Sequence, residues 1–337
     1  MVGAACIALL ILVVTTGNPE RAVPTTVINF ANPQQRITPM GVGETGALVF
    51  RQMDDPKFAP FLEPGPYGPL PRIAADGTKP AKHFARAATS SDQGSIVSVV
   101  VSGLGLDETE TRDAILRLPP EITLAFSPYA RDLPSLTELA RNTGHEYLIE
   151  VPLEPFDYPQ SDPGPLVLLV DAPQLSNLDR LHRTMGECVG YIGLLTTGRA
   201  RFATSEAALT PLATEAATRG LMILDDGRAP VSKMPRVTRA VGTLAGMVDR
   251  RLDDRPSADG MALALIEFER LAIEQGRAIG ATDLFPVAID RLVRWTETLK
   301  SKGLVLEPVS AQVLPPEPAA TSDSGKGAND RGDAKRS

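Results

Sequence analysis

The stretch "VVVSGLGLDE", Val99 to Glu108, carries an uninterrupted apolar run into a glycine-rich turn and then into acids. Three β-branched residues in a row, with no polar alternation, predict a strand buried on both faces, as in a parallel sheet covered by helices. The next stretch, "DETETRDAILRL" (107–118), has acids in its first turn and predicts a helix. In such α/β sheets the loop beyond a strand's carboxyl end faces the ligand crevice. Here that turn offers only Ser102 between Val101 and Gly103.

The same beat continues from 95 to 313. Strand-like runs recur at "EITLAFSP", "HEYLIEVPL", "GYIGLLTTG", "GLMILDDG", "GMVDRRL", "GRAIGAT" and "LVLEPVSA". Helical stretches lie between most of them. "SLTELARNTG" runs from a candidate cap at Ser135 to a glycine, "SEAALTPLATEAATRG" has the same form, and "GMALALIEFERLAIEQG" is apolar at helical spacing. Alternating strand and helix predicts an α/β domain over 95–313, mostly parallel strands with outer helices, barrel-like or open.

The flanks differ. Residues 1–17 include an uncharged apolar run, Val2–Gly17, that suits a signal peptide or signal anchor although basic residues do not precede it. Residues 18–94 are rich in Pro, Gly, Thr and Ala without a hydrophobic period and are expected to be a linker. Residues 314–337, ending "SGKGANDRGDAKRS", lack apolar anchors and are expected to be disordered. The expected location is therefore periplasmic or otherwise extracytoplasmic, with the membrane as a partner through the N-terminal segment.

Net charge is −7 with a pI near 5.2, which argues against generic nucleic-acid binding. Aromatic residues are only 5% of the chain, which disfavours an extensive stacking platform. Cys6 and Cys188 are the two cysteines; no Cys-based metal cluster is possible, and Cys188 is expected in the core.

The ordered series "IVSVVVSGLGLDETETRDAILRLPPEITLAFSPYARDL", "GHEYLIEVPLEP", "RARF", "LMILDDGRAP", "AIGATDLFPVAIDRLVRW" and "LVLEPVSA" resembles the divergent polysaccharide deacetylase family throughout 95–313. The resemblance implies a distorted (β/α) barrel related to carbohydrate deacetylases, which hold a divalent metal with one Asp and two His at strand ends. It also implies a polysaccharide or peptidoglycan-type glycan as partner. The family's paired acids after the first strand are replaced here by Ser102 and Gly103. The regions that supply its histidines hold Thr196 and Thr197, and Ala281, Thr282 and Asp283. No metal, cofactor or catalytic residue is therefore expected.

Candidate substrate-binding residues are Asp225, Asp226, Arg201, Asp283 and Glu150. Asp225 and Asp226 close a strand in "LMILDDGRAP", followed by Arg228; a turn in which Asp and Gly cap backbone groups is an equal reading. Asp283 stands where the family often has histidines, Arg201 suits a carboxylate or sugar oxygen, and Glu150 and Glu154 flank "VPLEP". Asp249 is a further groove candidate, while Asp253 and Asp254 are set in a solvated loop. Of the three histidines, His83 falls in the linker, His182 on a helix surface and His145 in a structural role. The leading expectation is a glycan-binding domain lacking the metal site; the rivals are a deacetylase with a rebuilt carboxylate metal site and an envelope scaffold.

Overall fold

The computed structural model describes residues 53–89, 94–198 and 200–314. The expected apolar segment 1–17, the tail beyond 314 and the linker up to residue 52 lie outside the described residues. Among the described residues, no helix is long and apolar enough to cross a membrane.

The chain first forms a small antiparallel pair of two-residue strands, β1 (Leu62–Glu63) with β2 (Leu70–Pro71), and a short helix α1 (Pro80–His83). Strand β3 (Ser95–Leu104) and helix α2 (Glu108–Arg117) follow, then β4 (Thr123–Phe126), α3 (Leu133–Asn142) and β5 (Tyr147–Pro152). After a long loop come α4 (Gln174–Met185), β6 (Gly193–Thr197), α5 (Glu206–Thr218), β7 (Met222–Asp225) and α6 (Met234–Val241). Two short strands, β8 (Ala245–Met247) and β9 (Arg250–Arg251), precede α7 (Ala258–Gln275), β10 (Arg277–Asp283) and α8 (Pro286–Thr298). Strand β11 (Leu304–Leu306) and helix α9 (Val309–Val313) complete the domain.

The strands lie in the order β8-β7-β6-β5-β4-β3-β10-β9, all parallel, with β11 beside the first half of β3. "GMVDRRL" is not one strand. Its first half pairs with β7 and its second with β10, and Val248 N–H donates to Asp225 O while Asp249 N–H donates to Ile279 O. That run brings the curled sheet round on itself, so the fold is the α/β, barrel-like one expected.

Strand side chains alternate between two apolar clusters, as the pleat requires. Val97, Val99, Val101, Leu124, Ile149, Leu194 and Ile223 pack outward with the helices. Val100, Ala125, Leu148, Leu195, Leu224, Ile279 and Ala281 pack inward. Burial on both faces explains why "VVV" shows no polar alternation.

Most helix ends match their sequence signals. Asp107, Ser205 and Ser257 accept from the backbone N–H three residues on and cap α2, α5 and α7. The expected cap at Ser135 is not used. Helix α3 starts at Leu133, with Pro134 in its first turn, where a missing N–H leaves no helical bond unmade.

Residues 53–89, expected as linker, are part of the folded body. Phe58, Phe61, Leu62, Leu70, Ala74, Ala81 and Phe84 are all buried, and most of them join the inward cluster. Ala81 N–H donates to Gly220 O, just ahead of β7, and Arg86 N–H donates to Glu146, just ahead of β5. The segment thus covers the amino ends of the strands as an irregular strap, and an irregular strap buries apolar residues without a period that sequence could reveal. Helix α9 covers the same end: Val309 N–H donates to Thr123 Oγ1 and Gln312 Nε2 to Ser98 Oγ.

Candidate functional site

With the amino end covered, the carboxyl ends of the strands hold the open cleft, of about 530 Å³. Its floor consists of the last inward-facing positions of successive strands or of the residues just beyond them. These are Ser102 from β3, Glu150 from β5, Thr197 from β6, Asp226 after β7 and Asp283 from β10. Gly103, Gly198, Arg228, Leu284 and the Leu106–Asp107–Glu110 side of the β3–α2 turn complete it.

Register places the groups. Ser102 lies beside Asp283 in the β3–β10 ladder, and its hydroxyl donates to Asp283 Oδ1 at 2.8 Å. Gly103 has φ +81°, a left-handed conformation that a side chain would strain, and its N–H donates to Glu150 Oε1. Asp226 is 3% exposed; its oxygens accept from the N–H groups of Gly198 at 2.8 Å and Arg228 at 3.0 Å. Asp283 is gripped from two sides, by Arg228 Nη2 at 2.6 Å and Arg251 Nη2 at 2.9 Å.

The electrostatics separate these acids. Burial pushes the Glu150 carboxyl up to about 8; the carboxylates of Asp283 and Asp226 add to this, and the Gly103 N–H and Arg251 oppose it. Burial likewise raises Asp226 to about 6 against two backbone N–H donors. Burial acts on Asp283 too, but the Arg251 and Arg228 guanidiniums outweigh it and hold this acid below the usual carboxylate range. At neutral pH the floor therefore presents a protonated Glu150 beside ionised Asp226 and Asp283. Such a floor can donate to and accept from a polyhydroxyl ligand, with charge assistance from the aspartates.

Three of the five candidates meet in the cleft: Glu150, Asp226 and Asp283. Asp225 does not. It is the neighbour of Asp226 on an alternating strand, so it points the other way, accepting from Ser232 Oγ and from Gly227 N–H at 3.0 Å. Its role is the turn-capping one. Arg201 also lies outside the lining; it pairs with Glu154 at 2.6 Å and Asp171 at 3.0 Å. Asp249 is tied to the Ile279 N–H at 2.8 Å, within the strand switch. Asp253 is not solvated: its side chain is buried and bonds Arg251, while its Oδ2 accepts from Asp283 N–H at 2.7 Å.

Sequence reasoning missed Arg251 and passed over Arg228. The signal for Arg251 was present: Asp249, Arg251 and Asp253 alternate along a strand-like run, which puts them on one face.

Residues 99–313, more than half of the chain, match the sequence model for the divergent polysaccharide deacetylases. The chain belongs to that family. A solved structure of an uncharacterized protein from Agrobacterium tumefaciens C58 is 37% identical with a TM-score of 0.71, covering 73% of this chain and 100% of its own. A family 4 carbohydrate esterase from Streptomyces lividans, in complex with acetate, aligns at 15% identity and TM-score 0.35, over 67% of this chain and 96% of that one. A CE4 family pseudoenzyme from Bacillus anthracis aligns at 11% and 0.40, over 69% and 71%. No curated protein matches.

The donor set of this member of the divergent polysaccharide deacetylase family does not fit the metal that the family's relationship to carbohydrate deacetylases implies. All three histidines are engaged away from the cleft. His145 is 1% exposed, with Nδ1 and Nε2 against the carbonyls of Ile122 and Ile115; His182 pairs with Glu215; His83 stacks on Phe61. Asp226 and Asp283 spend their oxygens on N–H donors, guanidiniums and a hydroxyl. Among the described residues, no group of three or more His, Cys, Asp or Glu side chains is arranged to hold a metal ion. A second cavity, of about 130 Å³ between α4 and α5, is lined by apolar side chains with Gln174 and Asn177 and carries no charged group.

Proposed function

We propose that this domain binds a polysaccharide or peptidoglycan-type glycan in the strand-end cleft, outside the cytoplasmic membrane, without metal-dependent deacetylation. One observation carries the reading. The cleft keeps a polar, partly charged floor of Glu150, Asp226, Asp283 and Arg228 while the positions for nitrogen ligands hold threonines and alanine. Deacetylation in this family's relatives needs a metal to polarise the carbonyl and activate water. Binding needs only the hydroxyl-matching donors and acceptors that line this cleft.

The test is a titration of the purified chain with N-acetylglucosamine oligomers, run beside a metal analysis and an acetate-release assay. Saturable binding with neither stoichiometric Zn²⁺ nor acetate release is the expected result. Chelator-sensitive acetate release overturns it. The extracytoplasmic location rests on the uncharged Val2–Gly17 run. A reporter fused after Ser310 should register export, and activity of a cytoplasm-only reporter there rejects that location.

A further inference from the structure

Arg201 was expected in the cleft and is found beside it, paired with residues of a loop that carries an exposed aromatic ring. Phe156 is 56% exposed, on the loop 153–173 that follows β5. Connections in compact domains usually run ~4–6 residues, and structureless loops far beyond that tend to serve function. This one is not slack. Leu153 bridges Leu168, Glu154 N–H donates to Leu168 O at 2.9 Å, and Val170 N–H donates to Glu154 Oε2 at 2.6 Å. Asn177 Nδ2 donates to Leu169 O at 2.7 Å, and the Tyr129 hydroxyl accepts from Leu166 N–H at 3.1 Å.

The base of the loop is also fixed to the edge of the cleft. Pro155 forms an antiparallel bridge with Ala200, and Leu153 N–H donates to Thr197 O at 3.3 Å. Thr197 and Gly198 line the cleft. Two chain steps, one bridge and one further step separate Gly198 from Phe156, so their Cα atoms lie no more than ~17 Å apart. Two residues before Phe156, the buried Glu154 pairs with Arg201, 42% exposed, and Arg201 in turn pairs with Asp171, 80% exposed. A large aromatic ring left in water on a braced loop loses little conformational freedom when a ligand covers it.

We infer that Phe156, on the loop whose Glu154 and Asp171 hold Arg201, is an outlying subsite that stacks the apolar face of a pyranose ring in a glycan chain whose neighbouring residues occupy the cleft. The inference rests on the glycan-binding reading and names a longer oligosaccharide as the ligand class. Phenylalanine supplies the ring face, and the exposed Arg201–Asp171 pair supplies charged partners for hydroxyls along the glycan chain. The subsite also gives Arg201 a part that its position outside the cleft floor would otherwise deny it. A short ligand fills the cleft alone; a longer one reaches Phe156 and gains from it.

The experiment is calorimetric titration of the full chain with the β-1,4-linked N-acetylglucosamine disaccharide and hexasaccharide, for wild type, Phe156→Ala and Phe156→Trp. Phe156→Ala should bind the hexasaccharide roughly three- to tenfold more weakly, the range of one aromatic contact, and the disaccharide unchanged. Phe156→Trp should restore the hexasaccharide affinity. Unchanged hexasaccharide binding by Phe156→Ala overturns the subsite and leaves the cleft reading standing. Equal loss for both lengths also overturns it, because it makes Phe156 a support of the cleft. If wild type binds neither oligomer, the glycan reading fails and the subsite falls with it.

Discussion

Glu146, just ahead of β5, and Glu150, on that strand, stand four residues apart and have opposite fates. Glu146 lies at the amino end, fully buried, and accepts from four donors: Arg86 N–H, Thr123 Oγ1, Ser310 N–H and Ser310 Oγ. Glu150 lies at the carboxyl end, where the Gly103 N–H is its hydrogen-bond donor and the open cleft is its other neighbour. Burial raises both carboxyls. At one end the chain itself supplies the partners of a buried acid. At the other the partners are left to a ligand. A buried acid by itself says little about function; whether its oxygens are already satisfied says more.

That contrast is easiest to break at the amino end. Glu146 joins the strap at Arg86, strand β4 at Thr123 and helix α9 at Ser310, segments far apart in sequence. Glu146→Ala strands those donors in the interior, where unsatisfied polar groups cost ~1–3 kcal/mol each. The variant should lose about 3 kcal/mol or more in urea unfolding. A loss under ~1 kcal/mol would mean that the covered end is not held by this acid.

The cleft end should respond in binding rather than in stability. Asp226→Ala removes a charged acceptor from the floor and should weaken glycan binding by ~1–3 kcal/mol. Asp225→Asn, one residue away but turned toward Ser232, should leave affinity within about twofold. Equal losses for the two would show that the strand does not sort its acids as the geometry has it.

How much of this the sequence disclosed follows the same division. The parallel sheet was legible in "VVVSGLGLDE" because burial on both faces writes a continuous apolar run. The strand ends, and with them Glu150, Asp226 and Asp283, were legible because the crevice lies at the carboxyl ends of parallel strands. Alternation implied that Asp225 and Asp226 point opposite ways, but which of them faces inward depends on register, set by contacts with β6 and β8. The strap at 53–89 stayed hidden because its buried residues have no period. Arg201 was misplaced because its partner Asp171 is distant in sequence, on the long loop after β5. Glu146 drew no attention at all, since its role exists only once the strap and α9 close over it.

The pH dependence of stability is the most diagnostic. In the folded chain the Glu150 carboxyl is raised to about 8 from an ordinary value of 4.5. A carboxyl raised by folding binds its proton more tightly in the native state, so stability is full below the unfolded value and is lost as pH rises through the window from about 4.5 to about 8. Within that window the slope contributed by one such group is at most ~1.4 kcal/mol per pH unit. Glu150→Gln keeps an oxygen for the Gly103 N–H and removes the titration. The variant should match wild type in urea unfolding near pH 4.5 and become progressively more stable than wild type toward pH 8. The same substitution at Glu146, whose four donors favour a full carboxylate, should instead destabilise the fold across the whole range. Parallel pH profiles for Glu150→Gln and wild type would mean that Glu150 is as well satisfied as Glu146, and the distinction between the two ends of the barrel would fail at its most exposed point.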